Sequence, residues 1–308
     1  MIALGLVSAG TGWGLDTNSQ RMADGYLEIL QKNPVGSPVV ERLYSIYRDA
    51  DEEGVLLAWS RQNAASNPVV SARILVRAGH DDEALAILRA AAPGSPAAAE
   101  MLAASLESQG EFVAAMAAIE LGLGQAASPG LHFRLGELAL RAGDEKKAQA
   151  AWERVAALAP GDASLQKKIA VAYARAGDFI RASAQAKALA SPGDRLVIWE
   201  EISQVLARRH AFLEAIEAQE SLLALMGPGH WKRASAQQRL FGLHESAGTL
   251  ENLREAWRTA ADQHPHAAEA ALRMASLEEF FKNSSERLKW LRQAGDSLPR
   301  DDGLAVVA

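Results

Sequence analysis

The sequence predicts an all-α chain built as a solenoid of stacked helix–turn–helix units. Three observations carry that prediction. Alanine makes up roughly a fifth of the 308 residues, well above ordinary usage. It is the best helix former, and Leu, Glu, Arg and Gln supply much of the rest, whereas Val, Ile, Thr and Tyr, which sheets prefer, are thin. Short motifs also recur at one offset. Arg141-Ala142-Gly143-Asp144 returns 34 positions on as Arg175-Ala176-Gly177-Asp178; Ala148 and Ala182 keep that offset, as do Pro34 with Pro68 and Pro265 with Pro299. A fixed period of about 20–50 residues marks a repeat architecture rather than one or two globular cores. The same composition disfavours a β-sandwich, a collagen-like chain, a disulfide scaffold and a wholly disordered chain.

In chain order, the first segment, Met1 to Gly14, is apolar and small, with no charge before Asp16. Three readings compete for it: the end of a signal peptide without its basic leader, an apolar tail, or a helix that caps the fold. It is too short to span a bilayer, and no other segment approaches transmembrane length. An unpaired helix is expected from about Ser19 to Lys32. Val39 to Pro68 reads as the first hairpin, with Tyr47 and Leu56 on its helices and Asp51 at its turn. Gly79 and Ala84 mark the second, and Gly110 and Ala115 the third.

The fourth, Leu131 to Pro160, shows the logic of the unit. Leu131, Leu135 and Leu138 form one apolar stripe at helical spacing. Gly143 ends that helix, where positive φ is favoured, and Asp144 complements the positive end of the next. Ala148, Trp152 and Val155 form the second stripe, which Pro160 stops before the Gly161-Asp162 turn. Ile169, Ala170, Tyr173, Gly177 and Ala182 repeat the pattern in the fifth hairpin. His210 and Ala215 mark the sixth, with histidine in the glycine place. Met226 to Trp231 reads as a loop insertion. Gly248, Trp257 and Pro265 mark the seventh hairpin, and a degenerate eighth lies around Asn283, Leu288 and Pro299. After Pro299, Asp301 to Ala308 look like the opening of another first helix. Solenoids end in polar caps, and Val306-Val307-Ala308 is not one. The expectation is an N-terminal portion of a longer repeat protein, with 18–308 as one solenoid of about eight hairpins.

Leu135, Gly136, Gly143, Ala148, Trp152 and Pro160, followed by Ala170, Tyr173, Gly177 and Ala182, resemble the tetratricopeptide repeat, a helical hairpin of about 34 residues. The small residues let two helices approach closely, and the large ones fill the space between hairpins. The resemblance implies a right-handed superhelix, with the first helices lining a concave groove that binds partner proteins. The family's chaperone-binding carboxylate clamp uses a lysine and asparagine set; here Lys167 is present, but Val171 stands at the asparagine position, so that partner is not implied.

Charge and motif content narrow the function classes. Net charge is −6 and no long basic run exists, against the basic field a nucleic-acid binder uses. The absence of cysteine removes thiol catalysis, thiolate zinc sites and disulfides. No histidine pair lies four apart around a glutamate; His264 and His266 flank Pro265 and read as solvated surface, and His210 as a turn residue. Gly122-Leu123-Gly124 closes a helix instead of following a strand, so it is not a dinucleotide loop. Glu200-Glu201 and Glu278-Glu279 are adjacent, so on a helix they diverge by about 100°. No phosphate loop or nucleophile elbow is present. No catalytic residue, metal site or cofactor is expected, and the chain is read as a non-enzyme.

One constellation stands out. Arg77, Arg141, Arg175 and Arg208 fall near the ends of first helices, with Lys167 two turns before Arg175. If they face the groove, they form a wall suited to an acidic peptide, since guanidinium makes bidentate contacts with carboxylates. The competing reading is that cations at helix C-termini only complement the macrodipole, worth about 0.3–1 kcal/mol each. Trp152, Trp257 and Trp59 are expected in the core, and Trp231, after Gly-Pro-Gly, is the candidate for exposed recognition. The expected function is a protein-interaction scaffold holding a peptide or helix of a partner. The alternatives are a recognition arm of a larger enzyme or sensor and a solenoid that self-associates through its uncapped C-terminus. The apolar N-terminus points to a periplasmic or exported bacterial protein, with a cytoplasmic location as the alternative.

Overall fold

The computed structural model describes residues 14–34, 38–124, 127–227 and 229–297. The readings of Met1 to Gly14 and of Asp301 to Ala308 fall, apart from Gly14, outside those residues. Among the described residues the secondary structure is helical, with no strand. Helix α1 (Thr17–Lys32) precedes eight hairpins. These are α2 (Val39–Asp49) with α3 (Glu53–Gln62), α4 (Pro68–Arg77) with α5 (Asp81–Ala91), α6 (Pro96–Ser108) with α7 (Phe112–Leu123), and α8 (Pro129–Arg141) with α9 (Glu145–Leu158). Then follow α10 (Ala163–Ala176) with α11 (Phe179–Ala188), α12 (Pro192–Arg208) with α13 (Phe212–Leu225), α14 (Arg233–Ser246) with α15 (Leu250–Gln263), and α16 (Ala268–Phe280) with α17 (Ser284–Ser297). The chain forms two compact units, Met1–Pro160 and Gly161–Ala308.

All eight hairpin turns share one construction. A residue at or directly after the first helix's C-cap has positive φ: Asp51 (60°), Gly79 (81°), Gly110 (82°), Gly143 (81°), Gly177 (85°), His210 (60°), Gly248 (69°) and Lys282 (57°). In the fourth turn the Gly143 amide donates to the Leu140 carbonyl at 3.1 Å, and the Asp144 amide to Ala139 at 2.8 Å. The same pair of bonds recurs in the other seven, from Asp51 and Glu52 to Lys282 and Asn283. This is the Schellman arrangement, which satisfies carbonyls the helix end would leave open. Where the following residue is acidic it can then cap the second helix: Asp144 accepts from the Lys147 amide at 3.0 Å and Asp178 from the Arg181 amide at 3.0 Å.

Within each unit the hairpins pack by one rule. First helices touch the next first helix, α2 to α4 to α6 to α8 in the first unit, and α10 to α12 and α14 to α16 in the second. Each second helix also touches the next first helix, as α7 touches α8 and α13 touches α14. Ala84, Ala115, Ala148, Ala182 and Ala215 are all buried where the helices of a hairpin meet. Gly136 shows how close that approach is: a Cβ placed there would lie 2.2 Å from Nε1 of the buried Trp152. Gly122, in the segment dismissed as a dinucleotide loop, is a packing glycine in α7, where a Cβ would fall 2.5 Å from that of Ala99. The core at the start of the first unit gathers Leu27, Leu30, Leu43, Tyr47, Leu56, Trp59 and Ile74. Trp199 and Trp290 are buried in the second unit. Trp257 is half-buried, edge-on to Phe241 at 5.7 Å.

Candidate functional site

The four arginines do end first helices: Arg77 on α4, Arg141 on α8, Arg175 on α10 and Arg208 on α12. Their surroundings divide them. Arg77 Nε lies 2.5 Å from Glu41 Oε2, and its guanidinium sits 4.9 Å from the Tyr44 ring centroid. Arg141 pairs with Glu107, which Arg134 also holds, and its guanidinium lies 4.9 Å from the Phe112 ring centroid. Lys167 Nζ is 2.6 Å from Asp194 Oδ1 on the next first helix. These three cations therefore bridge neighbouring hairpins, and half-exposed pairs of this kind add about 0–1 kcal/mol each. Arg175 and Arg208 are exposed, and among the described residues neither forms an ion pair.

The acidic partners were absent from the sequence reading. Their signal was present: Glu107 stands 34 positions before Arg141, one repeat back. A residue offset by one period lies beside its counterpart when first helices pack on one another. The same relation explains Arg209, whose guanidinium donates to the Arg175 carbonyl and rests over Gly177, where a Cβ would lie 3.3 Å from Nη2. This arginine caps the preceding hairpin's helix from one repeat away.

Trp231 is 82 % exposed, the ring stacked on His230 at 6.2 Å, with Lys232 Nζ 5.2 Å from its centroid. It stands on a cleft of about 320 Å³ between α14 and α16, whose other walls include Arg233, Gln237, Leu272, Arg273 and Ser276. Leu272 is 46 % exposed. Arg233 is anchored by donating to the Leu223 carbonyl at 3.1 Å, and Arg273 Nη2 lies 2.7 Å from Glu269 Oε1. The cleft thus offers an apolar rim beside Arg233 and Arg273, both within ion-pair distance of Glu269 in the same lining, in the layer of first helices.

Glu278 is fully buried and takes a two-point contact from Arg254, Nε to Oε1 at 2.9 Å and Nη2 to Oε2 at 2.8 Å. That bond holds the Arg254 guanidinium above its ordinary range. Glu279 is exposed, so the adjacent acids do diverge. His264 caps the end of α15. Among the described residues no cluster of three metal-ligating side chains occurs, and no helix is long and apolar enough to cross a membrane.

No protein-family model matches the chain, and no curated protein matches it. Among solved structures it is similar to the C-terminal part of a TPR repeat-containing protein from Cytophaga hutchinsonii, at 16% identity over 76% of this chain and 95% of that one, with a TM-score of 0.40. It is also similar to a tetratricopeptide repeat protein from Parabacteroides merdae, at 13% identity, 79% and 95% coverage and a TM-score of 0.41. A third likeness is to the structure of Naa15/Naa10 bound to HypK-THB, at 15% identity, covering 93% of this chain and 43% of that one, with a TM-score of 0.43.

Proposed function

We propose that this tetratricopeptide-like array is a non-enzymatic protein–protein interaction scaffold, which holds an extended peptide or a helix of a partner against its layer of first helices. The observation that carries the reading is the Trp231 cleft. A large aromatic that is 82 % exposed, beside Leu272 and the anchored Arg233 and Arg273, has the make-up of an interface anchor. Trp and Arg dominate the residues that carry binding energy at interfaces. Arg175 and Arg208 add cations that form no ion pair among the described residues, which favours an acidic ligand.

The reading is tested by capture from a native lysate with the intact chain and with Trp231→Ala plus Leu272→Ser, the bound proteins being quantified. Both residues are exposed, so helicity and melting temperature should be unchanged. The expected result is loss of a defined set of bound proteins from the double variant. An identical set bound by both forms would remove the cleft from the function.

A further inference from the structure

The second helices α7, α11 and α13 open alike: Phe112-Val113, Phe179-Ile180 and Phe212-Leu213. In each pair the phenylalanine is half-buried and the aliphatic residue points outward, Val113 being 72 %, Ile180 83 % and Leu213 67 % exposed. At this second position the other second helices carry Gly54, Asp82, Lys146, Glu251 and Ser285. Isolated exposed aliphatics are ordinary. A recurrence at one register, directly after the turn, is a patterned surface.

Ile180 and Leu213 belong to successive hairpins of the second unit. Their turns are in contact, because Arg209 reaches from one to the Arg175 carbonyl and Gly177 of the other. Around the two aliphatics stand the exposed Arg175, Arg208 and Arg209, the first two without an ion-pair partner. Of the nearby acids, Asp178 is engaged in capping α11 and in a 2.6 Å contact with Arg181, and the exposed Glu214 follows Leu213 on α13, so the arginines outnumber the open carboxylates. An apolar pair set among arginines complements a ligand with an apolar stripe bordered by carboxylates.

We infer that the turn edge formed by α10/α11 and α12/α13 is a docking surface for an acidic amphipathic helix of a partner protein. Such a helix lays apolar residues at i, i+3, i+4 and i+7 over Ile180 and Leu213, and its flanking Glu and Asp side chains meet Arg175 and Arg208 in charge-assisted contacts. The inference rests on the scaffold reading but not on its cleft. Trp231 lies beyond the far end of α13, whose last residue, Leu225, is 12 residues or about 18 Å from Leu213. The two surfaces can therefore be disabled separately.

The test uses the full chain and a fluorescein-labelled peptide of about 18 residues, about 27 Å as a helix, with leucines on one face and glutamates elsewhere. A scrambled peptide of equal composition and phosphatidylglycerol vesicles are the other probes. Anisotropy should show saturable binding of the amphipathic peptide. Ile180→Ser with Leu213→Ser should weaken it at least tenfold at an unaltered melting temperature. Arg175→Glu with Arg208→Glu should weaken it similarly and flatten its salt dependence, and Trp231→Ala should leave it unchanged. Absence of saturable binding, equal binding of the scrambled peptide, full affinity in the Ile180/Leu213 variant, or binding of vesicles in place of peptide overturns the inference. Failure of the Trp231 capture experiment alone leaves this surface standing.

Discussion

At the scale of single residues, Trp152 is seated directly on Gly136. A methyl group at position 136 would overlap the indole, at 2.2 Å from Nε1 and 2.6 Å from Cδ1. Gly136→Ala must therefore push α8 off α9, and overpacking of this kind costs about 1–3 kcal/mol. Urea denaturation should show that loss even though alanine is the better helix former. The small-residue requirement at Gly136 is readable from the repeat register, but the register assigns Trp152 to the space between hairpins, whereas it packs on Gly136 within its own hairpin. His244 was not readable in this way. Its Nδ1 is 2.8 Å from Thr249 Oγ1 and its Nε2 is buried without a hydrogen-bond partner. Burial holds its pKa below the ordinary histidine range. The folded state then binds fewer protons than the unfolded chain, so stability is complete above about pH 6.5 and falls as pH drops below it. His244→Gln should reduce that loss in melting curves recorded between about pH 7 and 5, since glutamine does not titrate.

At the scale of elements, the repeated device is the turn, and its chemistry separates what local sequence can show from what it cannot. Gly143 and Gly177 announce a left-handed residue because glycine carries no penalty there. Asp51 and His210 were placed at turns by register alone, and both adopt φ of 60°. Lys282 carried no such signal; the degenerate last hairpin pointed to Asn283, one residue later. The register of packed helices overrides the side chain's preference at all three. A left-handed L-residue costs about 1–2 kcal/mol, part of which glycine returns as chain entropy. Lys282→Gly should therefore stabilise the last hairpin by about 0.5–1 kcal/mol, measured as a raised denaturation midpoint at constant slope. A lowered midpoint would show that the lysine side chain holds the turn.

At the scale of the whole molecule, each hairpin leans chiefly on its neighbours, so stability is expected to be nearly one-dimensional. Ala182 is fully buried between α10 and α11. Ala182→Arg places a charge there without a partner, a costly burial. Hydrogen exchange should then show loss of protection in α10 to α12 before α1 to α5, and uniform loss along the chain would contradict nearest-neighbour stability. The overall charge of −6 is also a poor guide to the surface. Residues 161–308 carry 19 Lys and Arg against 19 Asp and Glu, so the whole deficit lies in residues 1–160. Three exposed arginines at one edge of a neutral unit leave no trace in a net count.

The sequence by itself determined the helical class, the repeat period, most of the hairpin turns and the small residues where two helices approach closely. All of these follow from interactions within about one repeat: helix propensity, periodic apolar stripes and the left-handed tolerance of glycine. Tertiary structure alone decided which cations are neutralised. Arg77, Arg141 and Lys167 meet Glu41, Glu107 and Asp194, whereas Arg175 and Arg208 meet no acid among the described residues. It also decided that Glu278 is buried on Arg254 and that Ile180 and Leu213 stay uncovered. The physical reason is distance along the chain. Partners about 24 to 36 residues apart meet only because a first helix lies beside the first or second helix of the preceding hairpin, and the rotation of each helix against its neighbour, which no local pattern specifies, sets which side chains face one another.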